Sequence, residues 1–308
     1  MKVAVLSGGI SGEREVSLKS GLQVSDALRR RGHEVTVLDF GPGSSEELRK
    51  LQPEVVFPVL HGPLGEDGTA AAVLELLGLR YVGSGVLAGA LAMNKAAAKR
   101  VMIAEGLPTP PFDLVTSVTD PRAQGGDLVA RLGLPLAIKP NSAGSSLGFT
   151  LARDEDAVLD GVAKALRVAG PDHTAIVERA VPGMEITVGI LGIASPRALP
   201  VIEIEYSNAD YDFEAKYTEG LSHHVIPARL APAQLARAQE LALAAHRLVG
   251  ARGLSRVDMM VQESGDTWIL EVNTLPGMTA LSLFPDAARA AGIGFDELVD
   301  TLVLEAAR

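Results

Sequence analysis

The sequence predicts an α/β protein whose N-terminal part is a parallel α/β domain. Three observations carry this reading. Between Lys2 and Leu77, short apolar strands alternate with helical stretches, the pattern of a parallel sheet. Pro108, Pro110 and Pro111 then break the chain, and a Ser- and Gly-rich loop joins the strands that follow. Lastly, Gly253–Ser282 reads as a β-hairpin that runs into a Pro-Gly loop.

The bulk numbers bound the function. A chain of 308 residues is long enough for two or three domains with cores of their own. Hydrophobic residues make up 47% and charged residues 21%, ordinary for a globular enzyme. The net charge of −10 argues against nucleic acid or an anionic membrane as partner. With no Cys, disulfides, thiolate catalysis and zinc–thiolate sites are excluded. No apolar run reaches transmembrane length, and the start MKVAVLSGG reads as a strand rather than a signal peptide, so a cytoplasmic location is expected.

Taken in order, Lys2–Leu6 is a strand, Ser7–Gly12 a turn and Glu13–Arg31 a helix. Glu34–Phe40 and Val55–Leu60 are further strands, and Thr69–Leu77 is a helix. The first turn invites a dinucleotide-binding reading with Asp39 on a ribose, but Gly8, Gly9 and Gly12 do not form G-x-G-x-x-G. Glu13 also stands where a pyrophosphate would meet the helix N-terminus, and its carboxylate would repel one. An acid there suits the ammonium of a small zwitterion, or simply the helix dipole. His61 opens the loop His61-Gly62-Pro63-Leu64-Gly65-Glu66-Asp67-Gly68. Ligands of open α/β sheets sit at the carboxyl ends of strands, where Glu13 and His61 both fall. A purely structural His61 remains the alternative.

Val86–Glu105 reads as one long Ala-rich helix carrying Lys95, and Ala123–Leu132 as another helix. The strand Leu134–Lys139 delivers Lys139 to the loop Pro140–Phe149, whose backbone N–H groups suit phosphates. The loop lacks the order G-x-x-x-x-G-K-[ST]. A strand-borne Lys before a strand–loop–strand flap is another way to cover nucleotide phosphates. The alternative is a hairpin with a flexible tip, although so long a Ser/Gly loop stabilises little. Asp154–Val168 is a helix, and Ala175–Val181, Glu185–Leu191 and Leu199–Tyr206 are strands. Ser207–Ile226 is a polar stretch whose tyrosines argue for an ordered lid. Neighbouring His223 and His224 point apart on a strand, which weighs against a His metal site. Ala231–Val249 and Phe295–Ala307 are helices.

In the hairpin, strand alternation places Arg256, Asp258 and Met260 on one face. On its second strand Ile269, Glu271 and Asn273 share a face, with Leu270 and Val272 on the other. If Val257, Met259 and Val261 share a core with Leu270 and Val272, then Arg256, Asp258, Glu271 and Asn273 line one polar surface. Hard oxygen ligands projecting together suit Mg²⁺, which takes one or two carboxylates plus substrate phosphates. A solvated, salt-bridged edge hairpin is the alternative. Thr274-Leu275-Pro276-Gly277-Met278-Thr279 cannot continue a regular strand and makes a ligand-binding corner.

The motifs Gly8-Gly9-x-Ser11-x-Glu13-x-x-Val16-Ser17, His61-Gly62-x-x-Gly65-Glu66-Asp67-Gly68, Lys139-Pro140-x-x-x-Gly144-Ser145-Ser146, Tyr211-Asp212-x-Glu214-x-Lys216-Tyr217 and Glu271-x-Asn273-x-x-Pro276-Gly277-Met278-Thr279 occur in this order over essentially the whole chain. Together they resemble the D-alanine–D-alanine ligases of the ATP-grasp superfamily. The resemblance implies a three-domain ATP-grasp fold, with an N-terminal parallel α/β domain over residues 1–85 followed by two α+β domains over 86–182 and 183–308 that clamp ATP. It implies that Lys95, Lys139, Lys216 and Ser146 hold phosphates, that Glu178 and the backbone near Val181 hold adenine, and that Glu185 holds the ribose. Asp258, Glu271 and Asn273 would bind two Mg²⁺ ions, for which Mn²⁺ substitutes. Glu13, in a hydrogen-bonded triad with Ser145 and Tyr217, would receive the ammonium of the first D-alanine, with Val16 and His61 nearby. Arg256 and the Gly277 N–H would face the oxyanion, and Ser282 and Leu283 the second D-alanine.

The activity so implied is ATP-dependent ligation of two D-alanines through an acyl phosphate, for peptidoglycan precursor synthesis, by a homodimer. Tyr217 stands where related D-lactate-using ligases carry Phe, which favours the dipeptide; Leu281 departs from the polar residue or His of some relatives. Other ATP-grasp ligases would share Lys139, Glu271 and Asn273 but have no reason for Glu13 and His61 in those motifs. A non-enzymatic sensor would not need Arg256 beside a metal pair.

Overall fold

The computed structural model describes residues 1–117, 121–144, 147–170, 172–206 and 222–308. Three sheets organise them. The first is parallel, with β1 (Lys2–Ser7) between β2 (Glu34–Asp39) and β3 (Val55–Pro58). Its even and odd residues face different cores. Val3, Val5 and Phe57 pack with Val24 and Leu28 of α1 (Arg14–Arg30), while Ala4, Leu6 and Val56 pack with Leu48 of α2 (Ser44–Leu51) and Leu74 of α3 (Thr69–Leu76). Parallel strands covered on both faces need near-continuous apolar runs, which β1 and β3 have.

Residues 86–104 form two helices rather than the single long one expected. α4 (Val86–Met93) ends and α5 (Lys95–Ala104) begins at Asn94, whose backbone is extended at φ −86° and ψ 95°. The Asn94 side chain accepts the Ala97 N–H at 2.9 Å, and this N-cap competes successfully with helix continuation. The break makes Lys95 the first residue of α5, and the Lys95 and Ala96 N–H groups donate to the Asn141 backbone carbonyl and Oδ1.

The second sheet is antiparallel, in the order β4 (Phe112–Val115), β7 (Ala175–Arg179), β5 (Leu136–Pro140), β6 (Thr150–Ala152). Backed by α6 (Pro121–Leu132) and α7 (Glu155–Val168), it keeps a separate core that includes Leu128, Leu136, Ile138, Val158 and Val177. The third sheet runs β11 (Ser222–Val225), β10 (Ile202–Tyr206), β8 (Met184–Gly192), β12 (Gly253–Val261), β13 (Thr267–Asn273), with β9 (Arg197–Ala198) also on β8. One face packs on α5 and α8 (Pro232–Leu248). On the other side, Leu254 and Leu191 join α9 (Leu283–Ala290), α10 (Phe295–Ala306) and the first sheet in one core.

Several expectations shift. Of the stretch expected as a lid, residues 207–221 lie outside the described residues, and Ser222–Val225 is a strand paired with β10. The strand expected from Leu199 starts at Ile202, and the one expected from Leu134 starts at Leu136. Helices α2 and α9 and strands β4 and β9 are not predicted by pattern. The largest correction lies in the hairpin. Arg256 pairs with Asn273, Val257 with Val272 and Asp258 with Glu271, but Met259 then pairs with Ile269. Leu270 is the extra residue of a β-bulge, which reverses the alternation beyond it. Ile269 is therefore fully buried in the core under α8, and Leu270 leaves that core to face a cleft with Met260. Among the described residues, no helix is long and apolar enough to cross a membrane.

Candidate active site

A cleft separates the second sheet from the third. Ala137, Leu151 and Val181 line one side, and Met260 and the bulged Leu270 the other. This apolar part suits a flat ring. Lys95, Lys139, Glu178, Glu185, Asp258 and Glu271 also line the cleft, so six of the sequence-predicted residues converge there beside Val181. Lys139 projects from β5, and its Nζ lies 2.9 Å from Glu178 Oε2. Glu178 is 1% exposed, and Lys99 Nζ lies 2.8 Å from its other oxygen. Burial alone would push the Glu178 carboxyl up, but the Lys139 and Lys99 ammoniums outweigh it and hold it down at about 2.

At the edge of the cleft nearest β12 and β13 stand the expected metal ligands. Asp258 and Glu271 are cross-strand partners. Arg256 donates from Nε and Nη2 to the two Asp258 oxygens at 2.8 and 2.7 Å, and Thr187 Oγ1 donates to Asp258 Oδ1 at 2.6 Å. Lys95 Nζ donates to the Ala143 carbonyl at 2.7 Å and lies 3.5 Å from Glu271 Oε2. Asn273 Oδ1 accepts the Leu275 N–H at 2.8 Å, which fixes the turn after β13. Among the described residues no three His, Asp or Glu side chains group as a complete metal site. Two carboxylates and an amide oxygen fit Mg²⁺, which draws its remaining ligands from water and substrate phosphates.

A buried polar cluster adjoins this edge. Glu13, immediately before α1, is 7% exposed, and His61, beyond β3, is 8% exposed. A side chain on Gly144 would come within 3.3 Å of Glu13 Oε2 and 3.4 Å of Glu66 Oε2, which brings the chain after β5 up to both carboxylates. Glu66 Oε2 accepts the Gly62 N–H at 2.7 Å. Burial, and then the Glu13 charge, push the Glu66 carboxyl up to about 7, against the pull of the Gly62 N–H, Lys95 and Arg256. Burial also lowers the His61 imidazole, with Glu13 opposing and Arg256 assisting. Glu13, His61, Glu66 and Arg256 thus form one small cluster of interacting polar groups. Within the described residues, His61 Nε2 is buried there without a hydrogen-bond partner, a polar atom suited to a ligand.

The first turn serves structure. Asp39 binds Arg14 at 2.5 and 2.8 Å and accepts the Gly9 N–H, so it braces the turn instead of reaching for a ribose. Gly8, at φ +76°, has no alternative, because a Cβ there would lie 2.2 Å from Asp39 Oδ1. At the far corner, Ser282 Oγ accepts the Thr279 N–H at 3.1 Å and would lie 3.0 Å from a Cβ on Gly277, so these residues form one tight turn. Leu283 begins α9, and Val16 lies in the first turn of α1. Ser145, Ser146, Lys216 and Tyr217 lie outside the described residues.

Sequence reasoning missed Lys99, Thr187 and Asn141 and gave Glu66 no role. Lys99 had a signal, being one helical turn after Lys95. Thr187 had none, since its contact with Asp258 depends on β8 pairing with β12.

Comparison with known proteins gives the family and agrees with the fold. Family models described as "D-ala D-ala ligase N-terminus" and "D-ala D-ala ligase C-terminus" match residues 41–84 and 101–304. A D-alanine–D-alanine ligase of Pelotomaculum thermopropionicum is 46% identical over 98% of this chain and 96% of its own length. One from Desulforudis audaxviator is 44% identical over 98% of this chain and 97% of its own. The crystal structure of the Bacillus anthracis D-alanine–D-alanine ligase complexed with ATP superposes with a TM-score of 0.85 at 29% identity, covering 100% of this chain and 97% of that one. With both family models matched in order and identity above 40% along nearly its whole length, the chain belongs to the D-alanine–D-alanine ligase family.

Proposed function

We infer that this chain is an ATP-dependent ligase that joins two D-alanine molecules into D-alanyl-D-alanine for peptidoglycan synthesis. One observation supports the reading most: Gly144, which lines the cleft with Lys139 and Lys95, also stands beside the Glu13 and Glu66 carboxylates, whose charges act on His61 and Arg256, and Arg256 is bonded to the cleft residue Asp258. A phosphoryl donor in the cleft and a small zwitterion at Glu13 would meet at this junction.

The residues divide the work. Met260, Leu270 and Val181 enclose the base, Glu178 and Glu185 accept hydrogen bonds from base and ribose, and Lys95 and Lys139 neutralise phosphate oxygens. Asp258, Glu271 and Asn273 would hold two Mg²⁺ ions, with Mn²⁺ as a substitute. Metal bound there would supply charge neutralisation at the phosphoryl oxygens. Glu13 receives the ammonium of the first D-alanine and turns its carboxylate toward the junction, where a carboxylate oxygen attacks the γ-phosphorus and ADP departs. The amine of the second D-alanine, seated near Ser282 and Leu283, then attacks the acyl phosphate. Arg256 and the Gly277 N–H stabilise the oxyanion, and phosphate leaves with the bridging oxygen. Ser145, Ser146, Lys216 and Tyr217, by the resemblance of their motifs, complete phosphate binding and exclude the water that would hydrolyse an acyl phosphate.

The domain division at residues 85 and 182, a cytoplasmic location and a homodimer belong to the same reading. The separate core of the second sheet supports the middle unit as a clamp on ATP. Oxygen transfer tests the chemistry. D-Alanine labelled with ¹⁸O in its carboxylate passes one ¹⁸O per dipeptide to inorganic phosphate if the acyl phosphate forms; unlabelled phosphate contradicts it.

A further inference from the structure

Lys99 has no place in the chemistry above, yet it is a cation held deep inside the molecule. It lies on α5 one turn beyond Lys95 and is 1% exposed. Burial lowers its ammonium below the ordinary range, and Glu178 opposes that loss. Its surroundings are well matched. Nζ lies 2.8 Å from Glu178 Oε1, donates to Thr109 Oγ1 at 2.7 Å and stands 5.6 Å from the centre of the Phe112 ring. The Thr109 hydroxyl in turn donates at 2.9 Å to the carbonyl of Ile269, the core residue beside the bulge. Lys99 therefore ties both walls of the cleft to one carboxylate.

Glu178 has two ammonium partners, and they differ in kind. The Lys139 side chain is 15% exposed and lines the cleft, whereas the Lys99 side chain is 1% exposed and anchored from behind. We propose that Lys99 is a positioning residue of the nucleotide cleft, the permanent counter-ion that holds Glu178 in place when Lys139 leaves it for a phosphate. The inference rests on the assignment of the cleft to ATP. Removing one partner of a buried ion pair leaves a charge uncompensated, so Lys139 can change partners cheaply only if another cation stays with Glu178. A carboxylate fixed in this way is an acceptor with no donor. It favours a base that presents an amino group at that edge over one that presents a carbonyl. Without Lys99, Lys139 stays tied to Glu178, which costs both a phosphate contact and base discrimination.

The test is Lys99→Met in the wild-type and Glu178→Gln backgrounds, read by calorimetric binding of ATP with Mg²⁺ and by steady-state kinetics with ATP, GTP and D-alanine. Lys99→Met is expected to raise the KM for ATP about tenfold or more and to narrow the preference for ATP over GTP. The KM for D-alanine stays within about twofold. In the Glu178→Gln background the same change costs less than about twofold, because the charge that Lys99 serves is gone. Equal losses in both backgrounds, or an equal rise in both KM values, would overturn the inference. Thr109→Val offers a milder probe should Lys99→Met not fold: a smaller rise in the KM for ATP supports the role, and an unchanged KM overturns it. Wild-type protein that binds no ATP would overturn the cleft assignment itself. Wild type that binds ATP, with Lys99→Met unchanged, overturns the inference alone.

Discussion

Asp258 and Glu271 are cross-strand partners on β12 and β13, and they are the last pair before the register slips by one residue. The slip sends Ile269 into the core and Leu270 into the cleft. Ile269→Ala is therefore expected to cost about 2–5 kcal/mol of stability, as for other buried aliphatic truncations. Leu270→Ala should cost less than about 1.5 kcal/mol and instead raise the KM for ATP. Denaturant unfolding and ATP kinetics on the two variants check this. The reverse pattern would mean that the hairpin alternates without a bulge.

Lys139→Ala removes a cation from the cleft while Lys99 still balances Glu178. The expected outcome is weaker ATP binding by at least about tenfold, with the melting temperature nearly unchanged. Calorimetric titration with ATP checks it. Unaltered affinity would remove Lys139 from the phosphate site.

Glu13→Gln keeps the size of the side chain and removes its charge. It should raise the KM for the first D-alanine by about tenfold or more and change ATP binding by less than about threefold. Initial-rate kinetics in both substrates separate the two effects. Equal damage to both would point to general destabilisation.

Glu66 brings a pH dependence. Its folded carboxyl sits at about 7 against an ordinary value of 4.5, so the fold favours the protonated form. That stability is full below about 4.5 and falls as pH rises through about 7. Glu66→Gln mimics the protonated form. It should melt close to wild type at pH 4.5 and above it at pH 8, as read by thermal unfolding across that range. Parallel melting curves would show that Glu66 is not a strained acid.

Much of this was legible in the sequence for a physical reason. Period-two and helical patterns report local burial, so β1, β3 and α1 stood out, and acids at strand ends marked the site. What escaped depends on contacts distant in the chain or on a single residue that changes phase. Asn94 splits a helix whose Ala-rich composition gives no warning, because a cap wins by one side-chain hydrogen bond. The bulge at Leu270 follows from pairing with β12, which strand alternation alone does not encode. The lysine pair on Glu178 joins α5, β5 and β7, and its two cations are 40 residues apart in sequence, by subtraction of their numbers.

The most direct test of the whole account is ADP release from purified protein given ATP and Mg²⁺, compared among D-alanine, L-alanine and no amino acid. The account predicts turnover with D-alanine only, with dipeptide, ADP and phosphate formed in equal amounts. ADP release that is the same with L-alanine or with no amino acid would contradict the assignment of the Glu13 pocket to D-alanine.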